Sequence, residues 1–342
     1  MDFSPTEAQR DLAALTRQIL ADHVTPETLG PAGSGGFDAP LWTLLARSGV
    51  LDAALPAAVG GGGFGLLEQC SVLIEIGRAV APVPYLASVT QAASVLASAQ
   101  RPELVERWLV PVVRGSAVLA VASGPGFTER GGRLNGTQTA VPFAAFASAL
   151  LVETPRGVFV VDRDAAGVSI EAQRTIDHAD AGLVRLDDAP GAFLGDVGGV
   201  VRQRGAVGLC AQQLGVVERA LELTAAHTRE REQFGHVLGG FQAVRQRLAD
   251  AYLDVEAVRL TLWQAAWRLA EGLPADAEIA TAKYWAAEAG HRVAHTAVHL
   301  HGGVGIDVEH PLHRYFAAAK RLEFTGGGAT AQLLTLGGLL AR

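Results

Sequence analysis

The chain has 342 residues, of which 49% are hydrophobic and only 18% charged. That composition excludes an intrinsically disordered protein and gives length enough for two or three domains around a large core. The net charge of −7 comes from interspersed acids and bases, with no basic block for nucleic acid and no acidic arm.

The opening segment reads as an amphipathic helix rather than a signal peptide, because it has no basic n-region. Ser4-Pro5-Thr6-Glu7 supplies Ser4 as N-cap, Pro at the first helical position and Glu at the third. Leu12, Leu15 and Ile19 then share a face. Glycines 33, 35 and 36 interrupt the pattern, and it resumes from Leu41 to Leu51. Pro56 and Gly60 to Gly63 form a loop. Gln69 to Val80 is helical, Pro82 and Pro84 break it, and helix returns from Ser88 to Leu109.

The texture changes near residue 116. Ala117 to Ala122 is a short apolar run and Leu134-Asn135-Gly136 reads as a turn. Ala149 to Glu153, Val158 to Asp162 and Leu183 to Leu186 are strand-like between Gly, Pro and Asp turns. Helix resumes near residue 200. Val244, Leu248, Tyr252, Val255, Val258, Leu262 and Leu269 recur at helical spacing. A second long helix runs from Asp276 to about Leu300 and stops at Gly302-Gly303, and a third follows Pro311. The order is a helical domain over 1–115, a small β domain over 116–198 and an antiparallel helical bundle over 199–342. Cys70 and Cys210 lie in apolar helical patterns and read as buried free thiols. No apolar run is long enough to span a bilayer, and a cytoplasmic protein is expected.

Two motifs go beyond this architecture. Arg231-Glu232-Gln233-Phe234-Gly235 is followed by Phe241-Gln242 at the start of a long helix. His299-Leu300-His301-Gly302-Gly303-Val304-Gly305 continues to Glu309-His310-Pro311. In this order and spacing, inside an α–β–α chain, they resemble the acyl-CoA dehydrogenase family over the whole length. The resemblance implies FAD and the dehydrogenation of an acyl-CoA thioester between Cα and Cβ, with a carboxylate removing the α-proton. It also implies an electron-transfer flavoprotein as acceptor. In the family both motifs reach across a dimer interface to the partner's FAD. Arg231 is then expected on the pyrophosphate, and Gln233, Gln242 and His299 as hydrogen-bonding groups, His299 standing where the family usually has Gln. Phe234 is expected against apolar parts of the cofactor, and Gly302-Gly303 where backbone approaches it. No metal site is expected. Read singly, Arg231 is a solvated side chain and Gly302-Gly303 a helix stop about as often as either is functional.

Other family features are missing. The two positions that supply the base fall on Gly326, aligned from Lys320, and on Gly205, aligned from Gly215. Glu323 lies one turn from Gly326 beside Lys320 and Arg321, and reads as a surface ion-pair member. Glu309 has no catalytic role in the resemblance. A flavin-contacting Thr-Glu-Pro-Gly-Ala-Gly-Ser becomes Val121-Ala122-Ser123-Gly124-Pro125-Gly126-Phe127. A Trp-Ile-Thr becomes Ala140-Val141-Pro142, and a Thr-Ser-Gln becomes Gly328-Ala329-Thr330. No catalytic residue is therefore assigned to this chain. The losses fall on groups that hold a subunit's own flavin ring, whereas the retained motifs grip a partner's cofactor. The resemblance is to the non-catalytic subunit of heteromeric dehydrogenases acting on steroid side-chain CoA esters in actinobacteria. It implies a second acyl-CoA dehydrogenase-like subunit in an assembly of two of each. The alternatives are a flavin monooxygenase on the same fold and a non-enzymatic scaffold.

Overall fold

The computed structural model describes residues 4–29, 36–99 and 101–341. Gly33 and Gly35, expected as helix breakers, lie outside them. The chain falls into two compact units, one of residues 1–34, 70–81 and 206–342, the other of residues 35–69 and 82–205.

In the first unit, α1 (Glu7–His23) starts two residues later than the Ser-Pro signal suggests. Thr6 is the cap: its hydroxyl accepts from the Gln9 backbone N–H, and the Gln9 side chain accepts from the Thr6 N–H at 2.8 Å. Two orphan donors satisfied reciprocally outweigh Ser4 followed by a proline. The buried face is also shifted. Leu12 and Ile19 point inward, Leu15 is exposed, and Thr16 is buried because its hydroxyl donates to the Leu12 carbonyl at 2.7 Å.

The rest of this unit is helical. It contains residues 70–79 of α3 (Leu66–Ala79), most of α4 (Gly198–Glu230), and then α5 (Gln242–Ala270), α6 (Asp276–His301), α7 (Leu312–Phe324) and α8 (Ala329–Leu340). α6 packs against α5, α7 and α8. Its buried face is mostly alanine (Ala280, Ala282, Ala286, Ala287, Ala289, Ala294, Ala297), which lets neighbouring helices come close. Where α3 and α4 cross, a Cβ at Gly215 would sit 2.0 Å from the Ile74 carbonyl oxygen, so only glycine permits that approach. Of the apolar stripe expected on α5, Val255, Val258 and Leu262 are buried. Val244 and Leu248 are half-buried and Tyr252 is exposed, because among the described residues the first turns of the helix are only partly covered.

The second unit contains α2 (Ala39–Arg47) and a helical stretch that does not run unbroken from Ser88 to Leu109. It consists of a π-helical segment, Leu86–Ala93, continued by Ser94–Ser98, then a break before a new start at Pro102. Two four-stranded sheets follow. One has the order β1 (Leu119–Ala122), β4 (Ala149–Thr154), β5 (Gly157–Asp162), β8 (Ala192–Gly195). The other has β2 (Phe127–Arg130), β3 (Arg133–Pro142), β7 (Asp180–Pro190), β6 (Val168–Arg174). All pairings are antiparallel except β1 with β4. Leu134-Asn135-Gly136 is not a turn. It lies inside β3, and the hairpin reverses at Gly131-Gly132, since Arg130 pairs with Arg133. Inward-facing residues of both sheets, among them Phe127, Leu134, Val152, Phe159 and Val184, make a shared core. Each buried phenylalanine there contributes about 1.5–3 kcal/mol.

Cys70 and Cys210 are buried free thiols, and burial pushes the Cys210 thiol up to about 12. Among the described residues no helix is long and apolar enough to cross a membrane.

Candidate functional site

The two motifs end up on helix ends of the first unit. α4 stops at Glu230, and the Arg231 N–H still donates to the His227 carbonyl at 2.9 Å. The next residues form a minimal hairpin, β9 (Glu232–Gln233) against β10 (His236–Val237), in which Gln233 pairs with His236. Its two corner residues are Phe234 and Gly235, both with positive φ (55° and 76°). A phenylalanine in that conformation stores about 1 kcal/mol or more of backbone strain. It is also 89% exposed, and among the described residues its ring makes an edge contact with Phe241, centroids 6.4 Å apart.

Arg231, Gln233 and Gln242 are exposed, and the Arg231 guanidinium has no ion pair among the described residues. The Gln233 side-chain NH2 donates to the Glu232 carbonyl at 2.8 Å, which leaves its own carbonyl oxygen to accept. Gln242 is the first residue of α5. At the end of α6, His299 is exposed. Gly302 takes φ 66°, ψ −144°, and its N–H donates back to the His299 carbonyl. That φ explains a glycine at 302. Gly303 has no such requirement, and among the described residues, chain neighbours aside, no atom lies within 4 Å of a Cβ built at either position. A guanidinium, two amides, an imidazole and an open glycine turn are a donor set suited to a diphosphate and the sugar beside it.

Sequence reading missed that three rings gather behind this surface, His227 among them. The His227 and His301 imidazoles stack, with centroids 4.2 Å apart and planes at 22°, and His310 lies 5.2 Å from His301. His301 was in view inside the motif. His227 carried no sequence signal, because its partner comes from a distant helix.

The two positions where the resemblance places a base have separate surroundings. At Gly205, in the second unit, an added Cβ would meet the Gln91 amide nitrogen at 2.5 Å. That amide donates to the Val201 carbonyl at 3.1 Å. Gln91 thus occupies the space a side chain at 205 would need. At Gly326, in the first unit, φ is +72° and an added Cβ would lie 3.2 Å from Leu209 Cδ1. The Lys283 ammonium beside it donates to the carbonyls of Leu322, Glu323 and Gly327 at 3.1–3.2 Å. Glu323 is an ion-pair member as expected, 2.5 Å from Lys320 and 3.4 Å from His291. Its side chain is only 12% exposed, however, so it is not a surface group; packing between α6 and α7 covers it. Glu309 is exposed.

Gly205→Glu would have to displace Gln91, break its bond to Val201 and place a carboxylate in a buried spot. A loss of about 2–4 kcal/mol is expected, read as a lower melting temperature, with no gain of acyl-CoA turnover. A stable variant that oxidises an acyl-CoA would show that the site needs only its acid back.

The stretches where the resemblance places flavin contacts offer different chemistry. Ala140-Val141-Pro142 lies at an irregularity of β3. Ala140 has φ 54°, its N–H donates to the Gln173 side chain at 2.7 Å, and Val141 is buried in the core. The segment offers neither an aromatic face nor a hydroxyl. Gly328 is only the N-cap of α8.

Residues 6–116 match the model of the acyl-CoA dehydrogenase N-terminal domain, and residues 203–338 that of the C-terminal domain. The chain is 46% identical to acyl-CoA dehydrogenase FadE27 of Mycobacterium tuberculosis, over 100% of this chain and 99% of the relative. Among solved structures it is similar to a chain of the ChsE4-ChsE5 complex from Mycobacterium tuberculosis, at 46% identity and a TM-score of 0.94, covering 100% of this chain and 99% of that one. It is also similar to a chain in a variant of the Tcur3481-Tcur3483 steroid ACAD, at 41% identity and a TM-score of 0.92, covering 98% of each. On the two domain models and the full-length relative, the chain belongs to the acyl-CoA dehydrogenase family.

Proposed function

We propose that this chain is a non-catalytic subunit of a heteromeric FAD-dependent acyl-CoA dehydrogenase, with domains over 1–115, 116–198 and 199–342. It completes the cofactor site of a second, acid-bearing subunit of the same fold. One observation carries the reading. Arg231, Gln233, Phe234, Gln242, His299, Gly302 and Gly303 stand exposed and largely unengaged at helix ends, whereas both base positions are glycines, Gly205 closed off by the Gln91 amide and Gly326 exposed in a left-handed turn. The strained, exposed Phe234 supports use of its ring by a partner.

The roles follow from the donor types. Arg231 holds the FAD diphosphate through its fixed fork of N–H groups. Gln233, Gln242 and His299 hydrogen-bond the adenosine side. Phe234 covers an apolar part, and the Gly302-Gly303 turn leaves room for close approach. FAD supplies the acceptor for hydride from the acyl chain. None of this chain's groups moves a proton in that step; the α-proton goes to the partner's carboxylate. The substrate is an acyl-CoA thioester, and the steroid ACAD among the similar structures supports a steroid side-chain ester. An electron-transfer flavoprotein is the proposed acceptor, and the proposed location is the cytoplasm.

Arg231→Ala tests the half-site. Losing a charge-assisted contact of roughly 1.5–3 kcal/mol should weaken FAD binding to the complex about ten- to hundred-fold. Titration of the apo-complex with FAD reads this directly, and unchanged affinity would make Arg231 a plain surface residue. The chain purified alone should carry no tightly bound FAD and turn over no acyl-CoA. Yellow, active protein from it would end the non-catalytic reading.

A further inference from the structure

Behind the exposed half-site lies a cluster that no role above uses. His227 sits one turn before Arg231 and accepts the Arg231 N–H on its carbonyl at 2.9 Å. His301 immediately precedes Gly302. Their rings stack, and His310, from the loop between α6 and α7, adds a third. The cluster therefore joins the two chain segments that carry the candidate cofactor residues, although they belong to different helices. It is anchored on every side. His301 Nδ1 is 2.8 Å from the Ala297 carbonyl, so that nitrogen carries the proton. The Leu312 N–H donates to His310 Nδ1 at 3.3 Å, and His313 Nδ1 lies 2.6 Å from the His310 carbonyl.

We propose that the His227–His301–His310 cluster sets the spacing between the Arg231 segment and the Gly302-Gly303 turn, and that protonation within it loosens the subunit's grip on the cofactor diphosphate. The proposal rests on the cofactor reading of these segments. Two imidazoles stack face to face comfortably when neutral. A proton on either puts a cation against its neighbour's face in a poorly hydrated place. The groups around His227 are Arg231 and Glu230 from the end of its own helix, His301 from α6 and His310 from the loop; His313 stands behind His310 at the start of α7. Burial, then His310 and Arg231, hold the His227 ring below its ordinary value, against a smaller opposing pull from Glu230. Burial likewise depresses His301, with further contributions from His227 and His310, against the pull of the Ala297 carbonyl.

The sign follows. The stacked arrangement favours neutral rings, so a proton is taken up more readily when the rings separate. The grip is complete above the ordinary imidazole value of about 6.5 and is lost as pH falls below it. The diphosphate's negative charge opposes this, but Arg231 stands nearest to answer that charge.

The test uses the FAD-loaded complex of this chain with its acid-bearing partner, with FAD release followed by flavin fluorescence from roughly pH 8 to pH 5.5. Wild type should bind about ten-fold more weakly at the acid end. His227→Phe keeps an aromatic face without a titrating proton. It should hold near-wild-type affinity at the alkaline end and show a flattened profile. His227→Ala should bind about ten-fold more weakly throughout. A flat or acid-tightened wild-type profile overturns the proposal, as does a His227→Phe profile that falls like wild type. If His227→Ala does not assemble, the His227→Phe profile alone decides. Arg231→Ala run alongside separates the two ideas. Unchanged affinity there removes the cofactor reading and this proposal together, whereas a ten-fold loss there with a flat wild-type profile removes this proposal alone.

Discussion

Lys283→Met should lower the melting temperature of the protein by roughly 4–12 °C, corresponding to a loss of about 2–4 kcal/mol. Lys283 is only 1% exposed, and its ammonium serves three carbonyls at the end of α7 and in the loop that follows. Three acceptors at 3.1–3.2 Å call for three protons, so the charged form fills the site even though burial pulls the lysine below its ordinary value. Methionine keeps the length and the apolar stem. It removes the cost of a buried charge but orphans the Leu322 and Glu323 carbonyls, each worth about 1–3 kcal/mol when left without a partner, while the Gly327 carbonyl keeps the Gln332 amide at 3.3 Å; the second effect outweighs the first. Thermal unfolding followed by circular dichroism measures the result. A change under about 1 kcal/mol would mean that water takes over the orphaned carbonyls and that the loop around Gly326 is not held by this lysine.

Lys283 also marks where sequence reading ended. The candidate half-site was legible because its residues come in two contiguous runs, 231–242 and 299–305, whose types and order carry the pattern. Glycines at the two expected base positions, 205 and 326, were legible because each lies at a fixed offset from a recognisable neighbour. What surrounds them was not. The Gln91 amide takes the space beside Gly205, and Leu209 and Lys283 are neighbours of the exposed Gly326; such tertiary contacts leave no periodic trace. Local errors had local causes. Thr6 with Gln9 outcompeted Ser4 as a cap, and Gly131-Gly132 outcompeted Leu134-Asn135-Gly136 as a hairpin corner. Tyr252 followed helical spacing but faces away from this chain's core. Periodicity locates an apolar face without saying which molecule covers it.

An exposed face on α5 and an open half-site lead to the last expected result, the composition of the assembly. The complex of this chain with its partner should contain two copies of each subunit and one FAD per heterodimer, by native mass and flavin absorbance. In a dimer of this family's type each cofactor lies between two subunits, one holding the ring and the other the far end. On the proposed reading, this chain offers Arg231, Gln242 and the Gly302-Gly303 turn to one such site. To the second it would offer only Ala140-Val141-Pro142 and, as bases, Gly205 or Gly326. That second site has no aromatic or hydroxyl group for the ring and no acid to take the α-proton, so neither binding nor turnover is expected from it. The partner should carry Glu or Asp at one of the two base positions. Replacing that acid by Gln or Asn should abolish dehydrogenation, a loss of about 10²–10⁴-fold or more, while FAD stays bound. In this chain, Glu323→Gln should leave the rate within about two-fold, because its carboxylate is already engaged by Lys320 and His291 and acts only on local stability. Two flavins per heterodimer, or activity that tracks Glu323, would place a working site in this chain and reverse the assignment of roles between the subunits.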